Sequence, residues 1–409
     1  MRDVPHVVIV GGGFGGLYAA RTLAHVPARV TLIDRHNYHL FQPLLYQVAT
    51  AALNPSDIAA PIRGVLSRQK NVSVILGEAA SIDTAQKQVH LADGASIAYD
   101  ILIVATGATH SYFGHPEWAK DAPGLKSIDD ALEIRRRVLL AFEAAERETD
   151  PAAQAALLTF VIVGAGPTGA ELAGALSEIA RQTMLRDFRR INPSSARVIL
   201  IEGKDRVLPV YPPSLSEKAR KQLERLGVEV ITSAVVTSLS SSEVCIGERT
   251  IPTRTVLWAA GVEASPLARS LGVALDRAGR VIVNEDLTIP GHDDVYVIGD
   301  LAAFDDVPGV APAAIQEGVH AARNVERTIA GKPRAKFRYR DKGSLATIGR
   351  AAAVADFGFL RLSGFIAWFA WLAIHIFFLI GFRNRFLVIT QWAWAYVTYQ
   401  RGARLITGR

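Results

Sequence analysis

Two glycine runs carry the first chemistry. Gly11, Gly13 and Gly16, with Gly15 between, form a G-x-G-x-x-G pattern, and Gly164, Gly166 and Gly169, with Thr168 between, form a second. Each follows a short apolar run, Val7-Val8-Ile9-Val10 or Phe160-Val161-Ile162-Val163, and precedes an Ala/Leu-rich stretch. Strand, glycine loop and helix in that order make a phosphate cradle. The first glycine makes the tight turn, and the second has no Cβ, so a pyrophosphate can reach the backbone. The third lets helix and strand pack closely. The helix start then offers free N–H groups and a positive dipole end.

An acid closing the next strand should hold a ribose through its hydroxyls. Asp34 does so after Val30-Thr31-Leu32-Ile33, 18 residues beyond Gly16. Glu202 follows Val198-Ile199-Leu200-Ile201, 33 residues beyond Gly169, so the second intervening segment is longer. A carboxylate there favours NADH over NADPH, although Lys204 and Arg206 follow closely. Ile101–Gly107, which contains Thr106, resembles Thr255–Gly261 at nearly the same offset. One nucleotide-binding unit therefore occurs twice, and one site for FAD and one for NAD(P)H is the economical reading.

The chain of 409 residues has room for two or three domains. Its single cysteine, Cys245, excludes an intramolecular disulfide, a Cys-x-x-Cys redox pair and iron–sulfur ligation. That thiol reads as a small buried hydrophobe in or near a strand. Net charge is +6 and the pI about 9.4, yet no Lys/Arg run reads as a nucleic-acid patch. The first apolar run is too short for a signal peptide and breaks into glycines, so the folded part is expected in the cytoplasm. Mean hydropathy of +0.20 demands an unusually apolar segment somewhere.

That segment lies near the C-terminus. From Leu362 to Phe382 the only ionisable side chain is His375, with Arg361 before and Arg383 and Arg385 after. A second apolar stretch runs from Phe386 to Tyr399, followed by Arg401, Arg404 and Arg409. Trp368, Trp371, Trp392, Trp394, Tyr396 and Tyr399 beside arginines match a membrane–water interface. On hydropathy the first stretch is long enough to span a bilayer. A pair of interfacial helices and a buried core or dimer helix are the other two readings.

Val295-Tyr296-Val297-Ile298-Gly299-Asp300 is a strand ending in Gly-Asp, which suits a return to the first domain with Asp300 beside the ribityl and pyrophosphate part of a flavin. The architecture resembles the two-dinucleotide-domain FAD/NAD flavoproteins. Finer motifs resemble the type II NADH:quinone oxidoreductases: His39 to Thr50, Gly169-Ala170-Glu171-Leu172-Ala173-Gly174, Leu257 to Gly261, Ala311 to Gly318 and Gly381-Phe382-Arg383-Asn384-Arg385. The family often has Ala-Gln-x-Ala-x-Gln at the quinone site. Here Pro312 replaces the first Gln, while Ala314 and Gln316 match.

The resemblance implies an α/β fold of two Rossmann-like domains plus a C-terminal membrane-associating helical segment. It implies an FAD-dependent, non-electrogenic NADH dehydrogenase that reduces a membrane quinone. It also favours interfacial over spanning helices, on an anionic bilayer at the cytoplasmic face of the inner (plasma) membrane. No metal or nucleic acid is expected, and a homodimer is left open. Residues 1–124 and 266–335 are assigned to FAD, 125–265 to NADH and 336–409 to the membrane end.

Glu171 is expected to orient nicotinamide or relay protons to quinone, with a helix-start acid favoured by the dipole as the plainer alternative. Gln316 should bond the flavin edge or a quinone carbonyl. His375 would bond quinone or carry a proton, the plainer alternative being a histidine satisfied by a nearby carbonyl. Gln42 and Pro43 should line the flavin ring, while Arg35, Ala79, Thr106 and Gly107 belong to the FAD site. Gly261 belongs to the second dinucleotide unit. Lys342 reads as a solvated lysine, with a place facing the flavin or quinone tunnel as the alternative, and Glu143 to Asp150 as a solvated helix end. A soluble NADH:ferredoxin-type reductase and an NADH-sensing flavoprotein are the rival functions.

Overall fold

Val7 to Val10 form a continuous β-branched run without alternation, which suits a strand covered on both faces. In the computed structural model, which describes residues 4–380, 382–398 and 402–407, that run is the strand His6–Val10. It lies between the parallel strands Arg29–Asp34 and Ile101–Val104, with Val10 in register with Ile33 on one side and Val104 on the other. Val72–Leu76 and His292–Val297 extend the sheet, and the short Thr288–Ile289 closes it antiparallel. Val8, Val10, Leu102, Val104, Val295 and Val297 fill one core against it. This sheet belongs to a unit made of Met1–Leu40, Ala59–Thr109 and Val262–Lys342.

The second unit comprises Phe41–Ile58, His110–Gly261 and Gly343–Arg409. Its parallel sheet orders Val228–Ile231, Arg197–Ile201, Thr159–Val163 and Thr255–Trp258. Val163 pairs with Ile201 and Trp258 as Val10 pairs with Ile33 and Val104. Backbone bonds repeat as well. Gly11 N–H donates to Ile33 O at 2.8 Å and Gly164 N–H to Ile201 O at 2.7 Å. The duplication read from the glycine motifs is thus a duplication of topology. In both sheets the chain order reverses at the first strand, and such a reversal opens a crevice at the carboxyl ends.

Three antiparallel strands, Ser344–Gly349, Ala352–Asp356 and Arg361–Ser363, follow in the second unit. The helix Pro167–Glu178 lies directly on the first of them. A Cβ on Gly174 would sit 1.6 Å from Ile348 O, so only glycine permits this approach. The chain then runs into the helices Phe365–Phe378 and Phe382–Thr398. Among the described residues no helix is long and apolar enough to cross a membrane. Gly381, Tyr399, Arg401 and Arg409 lie outside the described residues, as do the side chains of Arg383 and Tyr396.

Two sequence expectations need correcting. Cys245 is in the strand Glu243–Ile246 but only half-buried, the middle strand of a narrow three-stranded sheet. Glu146 is more than a solvated helix end. Its carboxylate accepts the N–H groups of Arg189, Arg190 and Ile191 at 3.0 Å each, pinning the long connection after the π-helical turn Ile179–Thr183.

Candidate active site

Each glycine loop is built by the same three constraints. Gly11 has φ +106° and Gly164 φ +98°, conformations that a side chain would strain. A Cβ on Gly16 or Gly169 would lie 1.8 Å from the carbonyl oxygen of Gly11 or Gly164, so helix and loop interlock there. By contrast, a Cβ on Gly13 or Gly166 would meet nothing within 4 Å. These middle glycines are the N-caps of the helices Phe14–Thr22 and Pro167–Glu178. Neither helix has a side-chain cap or an acid in its first turn. Thr168 sits half-buried in the first turn of the second helix. An open cradle with uncapped N–H groups fits a pyrophosphate in each unit.

The two acids also match. Asp34 accepts Gly12 N–H at 2.5 Å and His36 N–H at 2.6 Å. Glu202 accepts Ala165 N–H at 2.7 Å and Lys204 N–H at 2.9 Å. Each carboxylate thus ties the strand end to the glycine loop, where a ribose beside the pyrophosphate would meet it. Arg35 reaches Glu78 at 3.8 Å, next to Ala79 at the start of the strand Ala79–Asp83.

Thr106 and Gly107 follow the strand Ile101–Val104, Gly107 with φ +67° and open space at its Cβ position. Gly299 has φ +72° and opens the 3-10 turn that carries Asp300. Gly261, at φ +80°, has the Phe113 ring 2.5 Å from its Cβ position. The first unit therefore holds Gly11, Gly13, Gly15, Gly16, Asp34, Arg35, Ala79, Thr106, Gly107, Gly299, Asp300 and Gln316. The second holds Gln42, Pro43, Gly164, Gly166, Thr168, Gly169, Glu171, Glu202, Gly261 and His375.

Gln316 lies on the helix Ala311–Ile329, where Pro312 fits the first turn because its missing N–H has no helical partner to lose. The Gln316 amide donates to Pro312 O at 3.1 Å and Arg340 O at 3.0 Å, and its oxygen accepts Arg340 N–H at 3.0 Å. Both of its ends pin the segment that leads to the exposed Lys342. Gln42 donates to Lys126 O at 3.4 Å, and Pro43 is half-buried in the turn Gln42–Leu44.

Glu171 falls in the second turn of its helix, past the turn in which the dipole acts. Burial pushes its carboxyl well above the usual carboxylate range, partly offset by the Thr347 N–H. The Tyr211 hydroxyl is pushed up by burial and then by the Glu171 and Asp356 carboxyls, so these groups lie near one another.

His375 donates from Nδ1 to Trp371 O at 2.7 Å, and burial lowers its pKa to about 4. The neutral ring therefore keeps its lone pair on Nε2. Trp371 stacks on His375 with ring centroids 4.3 Å apart, and Phe41 meets His375 edge to face with centroids 6.2 Å apart. Sequence reasoning passed over His39, which is buried under the first glycine loop and donates from Nδ1 to Gly12 O at 3.0 Å. Its place at the start of the Leu40-Phe41-Gln42-Pro43 motif was the available signal.

The C-terminal helices bury Trp371, Leu379 and Val388. They turn Phe365, Ile366, Phe369, Phe377, Phe386 and Trp394 outward, with Phe377 at 68% and Trp394 at 62% exposed. Phe359, just before them, is 91% exposed. Arg385 holds Leu379 O at 2.7 Å beside this face.

Residues 5–318 match the pyridine nucleotide-disulphide oxidoreductase family model, and residues 342–398 match the NDH2 C-terminal domain. The chain is 47% identical to the type II NADH:quinone oxidoreductase NdhA of Mycobacterium tuberculosis, over 98% of this chain and 89% of that protein. This chain belongs to the type II NADH:quinone oxidoreductase family. A second relative in the same organism, the type II NADH:quinone oxidoreductase Ndh, is 46% identical over 98% of this chain and 90% of its own length.

Among solved structures, NDH2 from Plasmodium falciparum in complex with NADH superposes with a TM-score of 0.90. It covers 99% of this chain and 100% of that one at 20% identity. The sulfide:quinone oxidoreductase of Aquifex aeolicus shares the fold at a TM-score of 0.77, with 20% identity over 93% and 92% of the two chains. Membership of the type II family fits a chain with one cysteine, since the disulfide chemistry in the broader family's description needs a thiol pair.

Proposed function

We propose that the chain oxidises NADH through bound FAD and delivers the electron pair to a membrane quinone without pumping protons. The observation that carries this reading is the paired phosphate cradle, Gly13 and Gly166 each opening onto empty space in front of an uncapped helix. FAD would accept a hydride from NADH and give up two electrons to quinone.

The chain's own residues bind, orient and handle protons. Gly11 to Gly16 and Asp34 would hold the FAD pyrophosphate and ribose, and Arg35, Ala79, Thr106, Gly107, Gly299 and Asp300 would line the same dinucleotide. Gly164 to Gly169, Glu202 and Gly261 hold NADH, and the Glu202 carboxylate disfavours a 2′-phosphate. Burial makes the Glu171 carboxyl hold its proton more tightly than an ordinary carboxyl, which suits a group that relays a proton to a reduced quinone oxygen. His375 presents Nε2 as an acceptor for a quinol hydroxyl. Gln316 sets the segment at Arg340. FAD is assigned to residues 1–124 and 266–335, NADH to 125–265, and membrane access to 336–409.

The exposed apolar side chains of the last two helices support a peripheral seat on a lipid surface, and the proposal assigns that seat to the cytoplasmic face. Arg361 and Arg385 would lie near anionic headgroups, each adding on the order of 1 kcal/mol. The test is an anaerobic absorbance titration of the purified protein. Flavin bands that bleach with NADH and recover with a short-chain quinone support the reading. A colourless folded protein overturns it. Failure to sediment with anionic liposomes removes the membrane part.

A further inference from the structure

We infer that Glu317 is a positioning residue for FAD, and that its carboxyl gains a proton as the dinucleotide seats. The inference rests on the FAD reading above and concerns the first unit alone.

Three chain segments converge on this side chain. The helix Ala311–Ile329 is pressed onto the first glycine loop, because a Cβ on Gly318 would lie 2.2 Å from Gly15 O. That contact fixes the helix and leaves Glu317, one residue earlier, 3% exposed. From there its carboxylate accepts the N–H of Gly299. Gly299 is left-handed, at φ +72°, and its peptide aims the turn that carries Asp300. Glu317 thus joins the pyrophosphate loop to the Gly-Asp turn, the two elements assigned to the middle of FAD.

The one charge that moves its proton is of like sign. Burial raises the Glu317 pKa to about 7, the Gly299 N–H opposes the rise, and the Asp300 carboxylate adds to it. The segment after the helix contributes Tyr339, itself pushed up by burial and by Asp341 and Glu317. The helix Phe14–Thr22 brings Tyr18 and the exposed Arg21, and the turn after it the exposed His25. Among the described residues no basic side chain forms an ion pair with Glu317.

The FAD pyrophosphate brings two more negative charges to the loop that touches Gly318. Like charges favour the neutral acid, so bound FAD stabilises protonated Glu317. Binding then takes up a proton near neutrality. By linkage, FAD retention is full at low pH and falls as pH rises through the value of the FAD-free protein.

The experiment follows FAD fluorescence released on dilution of the purified holoenzyme across about pH 6 to 9. In the native protein the fraction released should rise with pH, with an apparent affinity loss of about tenfold for each unit that FAD shifts the carboxyl. Glu317→Gln should flatten this dependence, because a neutral amide keeps the acceptor for Gly299 and has no proton to lose. A native profile that is flat overturns the inference, whatever the variant does. So does a Glu317→Gln holoenzyme that keeps the native slope. Protein that purifies folded but without flavin instead overturns the FAD reading itself.

Discussion

Trp392 donates its indole N–H to the side-chain oxygen of Gln47 at 2.7 Å, across 345 residues of chain. Gln47 is buried, and its own amide donates to the Tyr46 hydroxyl at 2.9 Å. The last helix is thereby tied to the Phe41–Thr50 part of the His39–Thr50 motif within one unit. Trp371 lies 5.4 Å from Trp392 and extends the contact to His375.

Replacing Gln47 with Leu should strand the Trp392 N–H. The expected cost is about 1–3 kcal/mol, read as a lower thermal unfolding midpoint. A compensating Trp392→Phe in the same chain should recover part of it, because no donor is then left without a partner.

Arg135 is buried and donates to three carbonyls, Val48 at 2.8 Å, Leu53 at 2.9 Å and Ala403 at 3.1 Å. Arg135→Met keeps the volume and loses every donor. A loss of roughly 3 kcal/mol is expected from the orphaned carbonyls, with faster proteolysis at residues 402–407 as a local readout.

The four glycines of the two cradles should separate folding from binding. Gly16→Ala and Gly169→Ala drive a Cβ to 1.8 Å from a backbone oxygen and should yield poorly folded protein. Gly13→Ala and Gly166→Ala add a methyl to open space and should fold. Gly13→Ala should lose flavin absorbance on dilution. Gly166→Ala should keep its flavin and raise the KM for NADH. Equal effects of both variants on flavin content would contradict the division of roles.

The raised Glu171 carboxyl makes a signed prediction for stability. An acid whose folded pKa exceeds its ordinary 4.5 contributes stability that is complete below that value and is lost as pH rises toward the folded value. Glu171→Gln should therefore match the native protein near about pH 4 and be the more stable of the two near about pH 8. Urea midpoints over that range check it, and parallel curves would show that Glu171 is not shifted.

His39 and Gln47 show why part of the site was hidden in the sequence. Both stand in a motif quoted for its resemblance, yet their partners, Gly12 O and Trp392, lie 27 and 345 residues away. No local period announces such contacts. The same holds for Glu146, whose bonds to Arg189, Arg190 and Ile191 turn a charged helix end into a clamp.

The sequence alone determined the doubled strand–loop–helix unit, because glycine spacing, apolar runs and the acids Asp34 and Glu202 are set by short-range geometry. A turn that needs φ above +90° at Gly11 and Gly164 admits few residues, so it can be read from the chain. Tertiary packing decided which glycines are closed and which are open. It also decided how far the environments of Glu171, Glu317 and His375 move their protons. Those properties depend on desolvation by residues distant in sequence, and desolvation is a property of the folded volume around a group, not of its neighbours along the chain.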